Sequence, residues 1–347
     1  MKVLAFETSC DETSTAVVEA GTVLANVVAS QTALHREYGG VVPELAVREH
    51  LRCLPWLARE ALRQAGLGAA DLDAVAATRG PGLPGALLVG LKAGQGLAWA
   101  LGRPFLAVHH HEAHLVSPWI TGDPPRAAWE CFRPNLFLVV SGGHTLLVHV
   151  AGLLRYRLLG QTLDDAAGEC FDKVAKLLGL PYPGGPVVDR LAAEGNPRAH
   201  AFPRPKLADA DDEFSFSGLK TAVRYFLRDH PGLAEDGQGI RDLCASAQAA
   251  IIEVLVTKTM RAARRLGVGC VTASGGVTCN SGLRLALAKA CSDAGIELRL
   301  AAPAFCTDNA GMVGVLAECK LSRGVGPSDP DEEPAPGWEL TDLAASA

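Results

Sequence analysis

The chain has no two cysteines at CxxC spacing; its ten cysteines stand singly. That argues against a zinc ribbon or a disulfide framework and for a reduced, cytoplasmic setting. No uncharged apolar run is long enough to span a bilayer, although 48% of the residues are hydrophobic. The opening residues, Met1-Lys2-Val3-Leu4-Ala5-Phe6-Glu7, reach an acid too soon for a secretory signal. Positive charge is not in excess either, the formal net charge being −6. Composition therefore gives no sign of nucleic acid, while a local basic groove on an acidic protein stays compatible with one. Two catalytic signatures are missing as well. No glycine loop ends in GK[ST], which excludes a Walker loop. After His111-Glu112 the next histidine comes one residue too soon for the zincin HExxH. At 347 residues the chain is long for one domain and comfortable for two.

Histidine, by contrast, is concentrated. The run Val108-His109-His110-His111-Glu112-Ala113-His114 packs four of the ten histidines into seven residues. His110 and His114 stand four apart, which on a helix puts both imidazoles on one face. Two neutral imidazoles need at least a third ligand, commonly a carboxylate, and such a set suits iron, zinc or manganese. Solvated histidines at a polar helix start are the plain alternative, and the clustering favours the metal. The best third ligand is Asp308, in the turn Cys306-Thr307-Asp308-Asn309 between an apolar strand over 297–302 and a following helix. The same residue would make a good helix N-cap, and spacing alone does not choose between the two roles.

Along the chain, strands and helices alternate with glycine-rich turns. Residues 3–6 read as a strand and 13–18 as its hairpin partner, joined by a turn rich in hydroxyls and acids. Residues 43–66 carry Leu51, Leu54, Leu57 and Leu62 at helical spacing and end on glycine, a helix. After a strand over 75–78, Arg79-Gly80-Pro81-Gly82-Leu83-Pro84-Gly85 leads into a long helix; the loop offers backbone N–H groups to an anion or is simply a tight turn. The design restarts midway: a strand over 136–140, the turn Ser141-Gly142-Gly143-His144-Thr145, and a return strand over 146–150. A third glycine turn, 273–277, follows a strand and opens a helix near Asn280. Two similar halves, each beginning with a hairpin whose turn can hold phosphate, point to a two-lobed nucleotide-binding protein. Lys220, Arg224 and Arg228 recur at helical spacing and read as a solvated helix face. The polar stretch after Gly324 is expected to be a mobile tail.

Taken in order, these fragments resemble the bacterial TsaD (Gcp) family of tRNA threonylcarbamoyladenosine biosynthesis, formerly labelled O-sialoglycoprotein endopeptidases. The resemblance spans about residues 2–320. It rests on Glu7 to Thr13, Tyr38-Gly39-Gly40-Val41-Val42-Pro43-Glu44, Gly80-Pro81-Gly82, His110 to His114, Ser141 to Thr145, Phe171-Asp172-Lys173, Phe214 to Thr221, Gly275-Gly276-Val277 with Asn280, and Cys306 to Asn309. Ala113 stands where the family often has glycine.

The resemblance implies an α/β, two-lobed, actin-like fold related to sugar kinases and Hsp70, with a duplicated lobe containing a β-hairpin. The expected division is a first lobe over 1–118 that the helix over 309–324 is a candidate to join, a second over 119–308, and a tail over 325–347. It also implies transfer of a threonylcarbamoyl group from threonylcarbamoyl-AMP to the exocyclic amine of the adenosine beside the anticodon, with release of AMP. By the same resemblance His110, His114 and Asp308 would hold one divalent metal, iron in the family, with zinc and manganese compatible. Val139, Val140, Ser141, Gly142, Gly143, Asp172, Gly185, Asp189 and Asn280 would line the nucleotide pocket, and Asp11 would accept a proton. The implied partners are tRNA, a TsaB-like paralogue and a TsaE-like small ATPase, with no membrane. A metal-dependent endopeptidase, a small-molecule kinase of the same fold and a non-enzymatic scaffold are the competing readings.

Overall fold

The computed structural model describes residues 1–340, the side chains of residues 234 and 235 excepted. The elements in chain order are β1 (Lys2–Glu7), β2 (Glu12–Glu19), β3 (Thr22–Ser30), α1 (Thr32–His35), α2 (Pro43–Ala65), β4 (Ala74–Gly80), α3 (Pro84–Leu101), β5 (Phe105–His109), α4 (His110–Val116), β6 (Ile120–Thr121), β7 (Arg126–Ala127), β8 (Asn135–Val140), β9 (Thr145–Gly152), β10 (Arg155–Gln161), α5 (Ala167–Leu177), α6 (Gly184–Ala192), α7 (Ser217–Asp229), α8 (Gly237–Leu266), β11 (Cys270–Ser274), α9 (Ser281–Asp293), β12 (Glu297–Leu300), α10 (Pro303–Cys306) and α11 (Ala310–Ser322). Their limits follow from local chemistry. Both α2 and α3 place proline in the first turn, where no N–H is needed, and stop on a left-handed glycine, Gly66 and Gly102.

Two sheets carry the fold, ordered β5-β4-β1-β2-β3-β7-β6 and β10-β9-β8-β11-β12. The five strands of the second match five of the first in order and direction, β12-β11-β8-β9-β10 against β5-β4-β1-β2-β3, with β7 and β6 added to the first. β1 is antiparallel to β2 and parallel to β4; β8 is antiparallel to β9 and parallel to β11. The duplication read from the repeated hairpin therefore extends to a five-stranded sheet in each half. Val3 to Phe6 and Leu136 to Val140 are buried without alternation, as strands covered on both faces must be.

The chain divides into two compact units, one of residues 1–132 with the described residues from 301 onward, the other Arg133–Leu300. The first break falls later than the expected 118. β6 and β7 extend the first sheet beyond β3, and the fully buried Trp119 packs on Phe132, so 119–132 stays with the first unit. The second break falls earlier than 308, which puts Asp308 in the first unit. There α11 lies across β1, β2 and β3 and along α4. In the second unit the core surrounds α8. Among the described residues, α8 is the one helix long and apolar enough by composition to cross a membrane, and 72% of its most apolar window is buried inside the protein.

Two local expectations change. The buried stripe of α2 is Ala46, His50, Cys53, Leu54, Leu57 and Ala61, whereas Leu51 is 61% exposed. The stretch after Gly324 is not a free tail over its described part. Ser328 N–H donates to the Phe105 carbonyl, Ala335 N–H to that of Arg79, and Gln95 Nε2 and Arg79 Nε to the carbonyls of Glu332 and Glu333. The Arg79 guanidinium lies 5.0 Å over the Trp338 ring, and Leu340 is buried. Gly80 is required beneath this strap, because a Cβ there would stand 1.9 Å from the Ala335 carbonyl oxygen. Residues 341–347 of the expected tail lie outside the described residues.

Candidate metal centre and the turns around it

β5 ends where α4 begins, so the histidine run turns from strand to helix. His109 is the N-cap: its Nδ1 accepts the Glu112 N–H at 3.3 Å, and its Nε2 donates to the Trp338 carbonyl at 3.0 Å. His110 and His114 share the next face, with ring centroids 4.9 Å apart and planes at 90°. Glu112, on the other side of α4, pairs with Lys320 of α11.

Asp308 reaches this face because α11 is capped by its neighbour. Asn309 Oδ1 accepts the Met312 N–H at 3.0 Å, so the cap role falls to Asn309 and not to Asp308. Asp308 Oδ1 lies 3.2 Å from His114 Nε2 and 3.4 Å from His110 Nε2. One ligand atom from each of the three residues falls within 4.8 Å of the others. The opposite nitrogen of His110 is held as well. Glu7 Oε2 is 3.0 Å from His110 Nδ1, and a carboxylate there draws the proton to Nδ1 and turns the Nε2 lone pair toward Asp308. Glu7 is fully buried at the end of β1, accepting from Ser9 N–H and Thr78 Oγ1, each at 2.6 Å. The donor set, its convergence and this orienting carboxylate fit a divalent metal of the iron, zinc or manganese kind.

The charges of these side chains act on one another. Burial opposes charge on His110, yet Asp308 and Glu7 outweigh it and raise its pKa well above the ordinary histidine value. Against their own burial, Asp308 and Glu7 are held below the usual carboxylate range, chiefly by His110. Burial lowers His114, with Asp308 offsetting part of the effect. The β1–β2 turn flanks the triad, its Ser9 Oγ 3.3 Å from His110 Nδ1. At the start of β2, burial, then Asp11 and Asp308, push Glu12 up to about 9.

The residues expected around a nucleotide all lie in the second unit and form one connected set. Val139 and Val140 are buried at the end of β8, while Gly142 and Gly143 are exposed with open space above them. The Ser141 carbonyl accepts Gly168 N–H, tying the turn to α5. From α5, Asp172 Oδ1 accepts the Gly184 and Gly185 N–H groups at 2.7 and 3.2 Å, at the start of α6. One turn along α6, Asp189 accepts from Ser281 N–H and Oγ, both at 2.9 Å, beside Asn280, the N-cap of α9. Gly275, at φ +102°, closes the set, since a Cβ there would stand 2.2 Å from the Val140 oxygen.

Other expected features serve structure. The loop Arg79 to Gly85 is a tight turn held by other parts of the chain. Two of its N–H groups are already used, Gly82 toward Pro336 and Leu83 toward Ser9. Ser215 and Ser217 donate to Asp164, which also accepts the Phe216 and Ser217 N–H groups and so anchors the start of α7. On α7, Arg228 pairs with Asp229 and stacks on Tyr225. Sequence reasoning missed Glu7 and His50 as buried polar residues near the site. Their signals were an acid closing an apolar strand and a histidine in register with the stripe of α2.

Fold comparison gives the class first: an α/β protein with an actin-like fold. A component A of (R)-2-hydroxyglutaryl-CoA dehydratase from Acidaminococcus fermentans superposes with a TM-score of 0.53 at 15% identity, covering 93% of this chain and 99% of its own. Full-length HypF, in a phosphate- and nucleotide-bound form, superposes with a TM-score of 0.59 at 13% identity, covering 94% of this chain and 56% of its own. The family model for TsaD, tRNA N6-adenosine threonylcarbamoyltransferase, matches residues 22–315, and the chain belongs to that family. The tRNA N6-adenosine threonylcarbamoyltransferase of Syntrophotalea carbinolica is 49% identical over 341 residues, covering 98% of this chain and 97% of that one. That of Geobacter metallireducens is 52% identical over 326 residues, covering 94% and 93%.

Proposed function

We propose that this tRNA-modifying transferase takes its threonylcarbamoyl group from threonylcarbamoyl-AMP and acts at a metal site built from His110, His114 and Asp308. The observation that carries this reading is the convergence of those three side chains, flanked by the turn that bears Asp11. His110, His114 and Asp308 would hold a divalent cation, iron by family resemblance, which would supply Lewis acidity when bound. In the transfer, the N6 amine of adenosine bonds to the carbamoyl carbon, the bond from that carbon to the phosphate oxygen breaks, and AMP leaves. The amine is a weak nucleophile because its lone pair is delocalised into the ring. Asp11 accepts its proton as the new bond forms. Within the second unit, the Ser141–Gly143 turn and the connected Asp172, Gly185, Asp189 and Asn280 are the nucleotide-binding set. Glycine turns of this kind bring backbone N–H groups toward phosphate oxygens as charge develops on the leaving group. The protein works in the cytoplasm with tRNA, a TsaB-like paralogue and a TsaE-like ATPase.

The endopeptidase reading loses support because Glu112, the glutamate it would use as base, is committed to Lys320. A kinase would release ADP in place of AMP. The deciding experiment supplies labelled threonine, ATP, bicarbonate, the adenylate-forming enzyme and the partner proteins with tRNA, beside an Asp308→Ala variant. Label in tRNA adenosine with the unmutated protein alone is the expected result. Silence from both proteins, with partners and tRNA shown to be competent, overturns the proposal.

A further inference from the structure

Three successive carbonyls in the β1–β2 turn are each held by a different element. Ser9 O accepts from Leu83 N–H at 2.8 Å, Cys10 O from His50 Nε2 at 2.9 Å, and Asp11 O from Gln31 N–H at 3.0 Å. The only side chain among these donors is His50, fully buried on α2. Its orientation is set by its partners. A carbonyl only accepts, so the His50 proton sits on Nε2, and Nδ1 accepts from Thr13 Oγ1 at 2.8 Å. A buried chain of side chains leads away from this contact. Gln31 Nε2 lies 3.3 Å from His50 Nδ1 and 3.4 Å from the Ala46 carbonyl, and Gln31 Oε1 accepts from His35 Nε2 at 3.1 Å. His35 Nδ1 in turn accepts Val42 N–H at 3.3 Å. Thr13, Gln31, His35 and His50 are each at most 3% exposed. Every group is oriented by a backbone group at one end or the other, Val42 N–H or Cys10 C=O, so the chain has one direction.

We infer that His50 is a positioning residue for the transfer reaction: it holds the Ser9–Asp11 turn so that the Asp11 carboxylate meets the adenosine amine, and the Gln31–His35 pair ties that hold to the Gly39–Val42 loop. This rests on the reading of Asp11 as proton acceptor. It also gives a task to the segment from Tyr38 to Glu44, whose exposed Tyr38 and Gly39 border the far end of the chain. Burial keeps His50 below the ordinary histidine value, in keeping with a neutral ring that donates on one side and accepts on the other.

The test compares His50→Leu, His50→Gln, Asp11→Asn and the Asp11→Asn, His50→Leu double variant in the full system, reading kcat, KM for tRNA and metal content. His50→Leu should lower kcat at least tenfold with KM and metal content unchanged. His50→Gln should recover most of the rate, because an amide can donate to Cys10 O while accepting from Thr13. In the double variant the added loss should be no more than twofold. Should His50→Leu fail to fold, Thr13→Val removes the hydroxyl that orients the ring without changing volume, and should lower kcat at least threefold. An unchanged kcat in whichever variant folds, a loss that follows metal content, or losses that multiply in the double variant overturn the proposal. Asp11→Asn turning over at the unmutated rate removes the reading of Asp11 and this proposal with it. A slow Asp11→Asn beside a normal His50→Leu removes the His50 proposal alone.

Discussion

Replacing Glu7 with glutamine tests the metal centre from behind. The change keeps the side chain's shape and removes its ability to accept on every side. As a carboxylate, Glu7 accepts from Ser9 N–H on Oε1 and from both Thr78 Oγ1 and His110 Nδ1 on Oε2. An amide has two orientations here. With its NH2 at the Oε1 position it meets the Ser9 N–H, donor against donor. With its NH2 at the Oε2 position, Thr78 can rotate to accept, but His110 must move its proton to Nε2, the nitrogen that faces Asp308 and His114. Either orientation loosens the ring or blocks its lone pair. Partners of this kind behind a ligating histidine are worth about 10- to 100-fold in metal affinity, or about 1.4–2.7 kcal/mol at about 1.4 kcal/mol per tenfold. The assay is competition for Co2+ or Zn2+ against a chromophoric chelator, with anaerobic Fe2+ as a third probe and melting of the metal-free proteins as control. Glu7→Gln should stay folded but melt lower, since a buried donor left without an acceptor costs about 1–3 kcal/mol, and its folded, metal-free form should bind each metal at least tenfold more weakly. Equal affinity would refute the orienting role of Glu7.

Two further tests address features outside that centre. Asp164 is held below the ordinary aspartate value: burial opposes its charge, but hydrogen bonds from Ser215, Phe216 and Ser217 outweigh it. A depressed carboxylate stabilises the fold above its unfolded pKa and loses that contribution as pH falls through the folded one. Because the group is largely exposed, Asp164→Asn should cost only about 1 kcal/mol at neutral pH. In urea titrations the difference from the unmutated protein should shrink between about pH 5 and pH 3, and a constant difference would contradict the assignment. Ending the chain after Gly326 removes the strap over β5, α3 and the loop after β4. It removes the six hydrogen bonds described above and should cost at least about 3 kcal/mol, at about 0.5–1.5 kcal/mol net for each bond; a melting temperature equal to that of the full chain would show the strap to be idle.

The α/β class and the internal duplication were legible from the chain because strand, glycine turn and return strand leave a local pattern that appears twice. The histidine pair was legible because a four-residue interval on a helix is itself a geometry. Periodicity misled at α2, where Leu51 fits the apolar rhythm as well as His50 does, and only the packing of α2 against the β1–β2 turn decided which one is buried. The loop Arg79 to Gly85 has the composition of an anion cradle, but a strand of chain about 250 residues further on lies over it.

Sequence alone determined what depends on neighbours: the hairpins, the helix starts and stops, and the ligand types available. The pairing of Asp308 with His114, 194 residues apart, was decided by tertiary structure. It required α11 to return to the first sheet, and Asn309 to take the cap that Asp308 was equally suited to hold. Hydrogen bonds and ligand contacts act over about 3 Å, so which side chains converge is set by how the sheets and helices pack, a relation no local pattern contains.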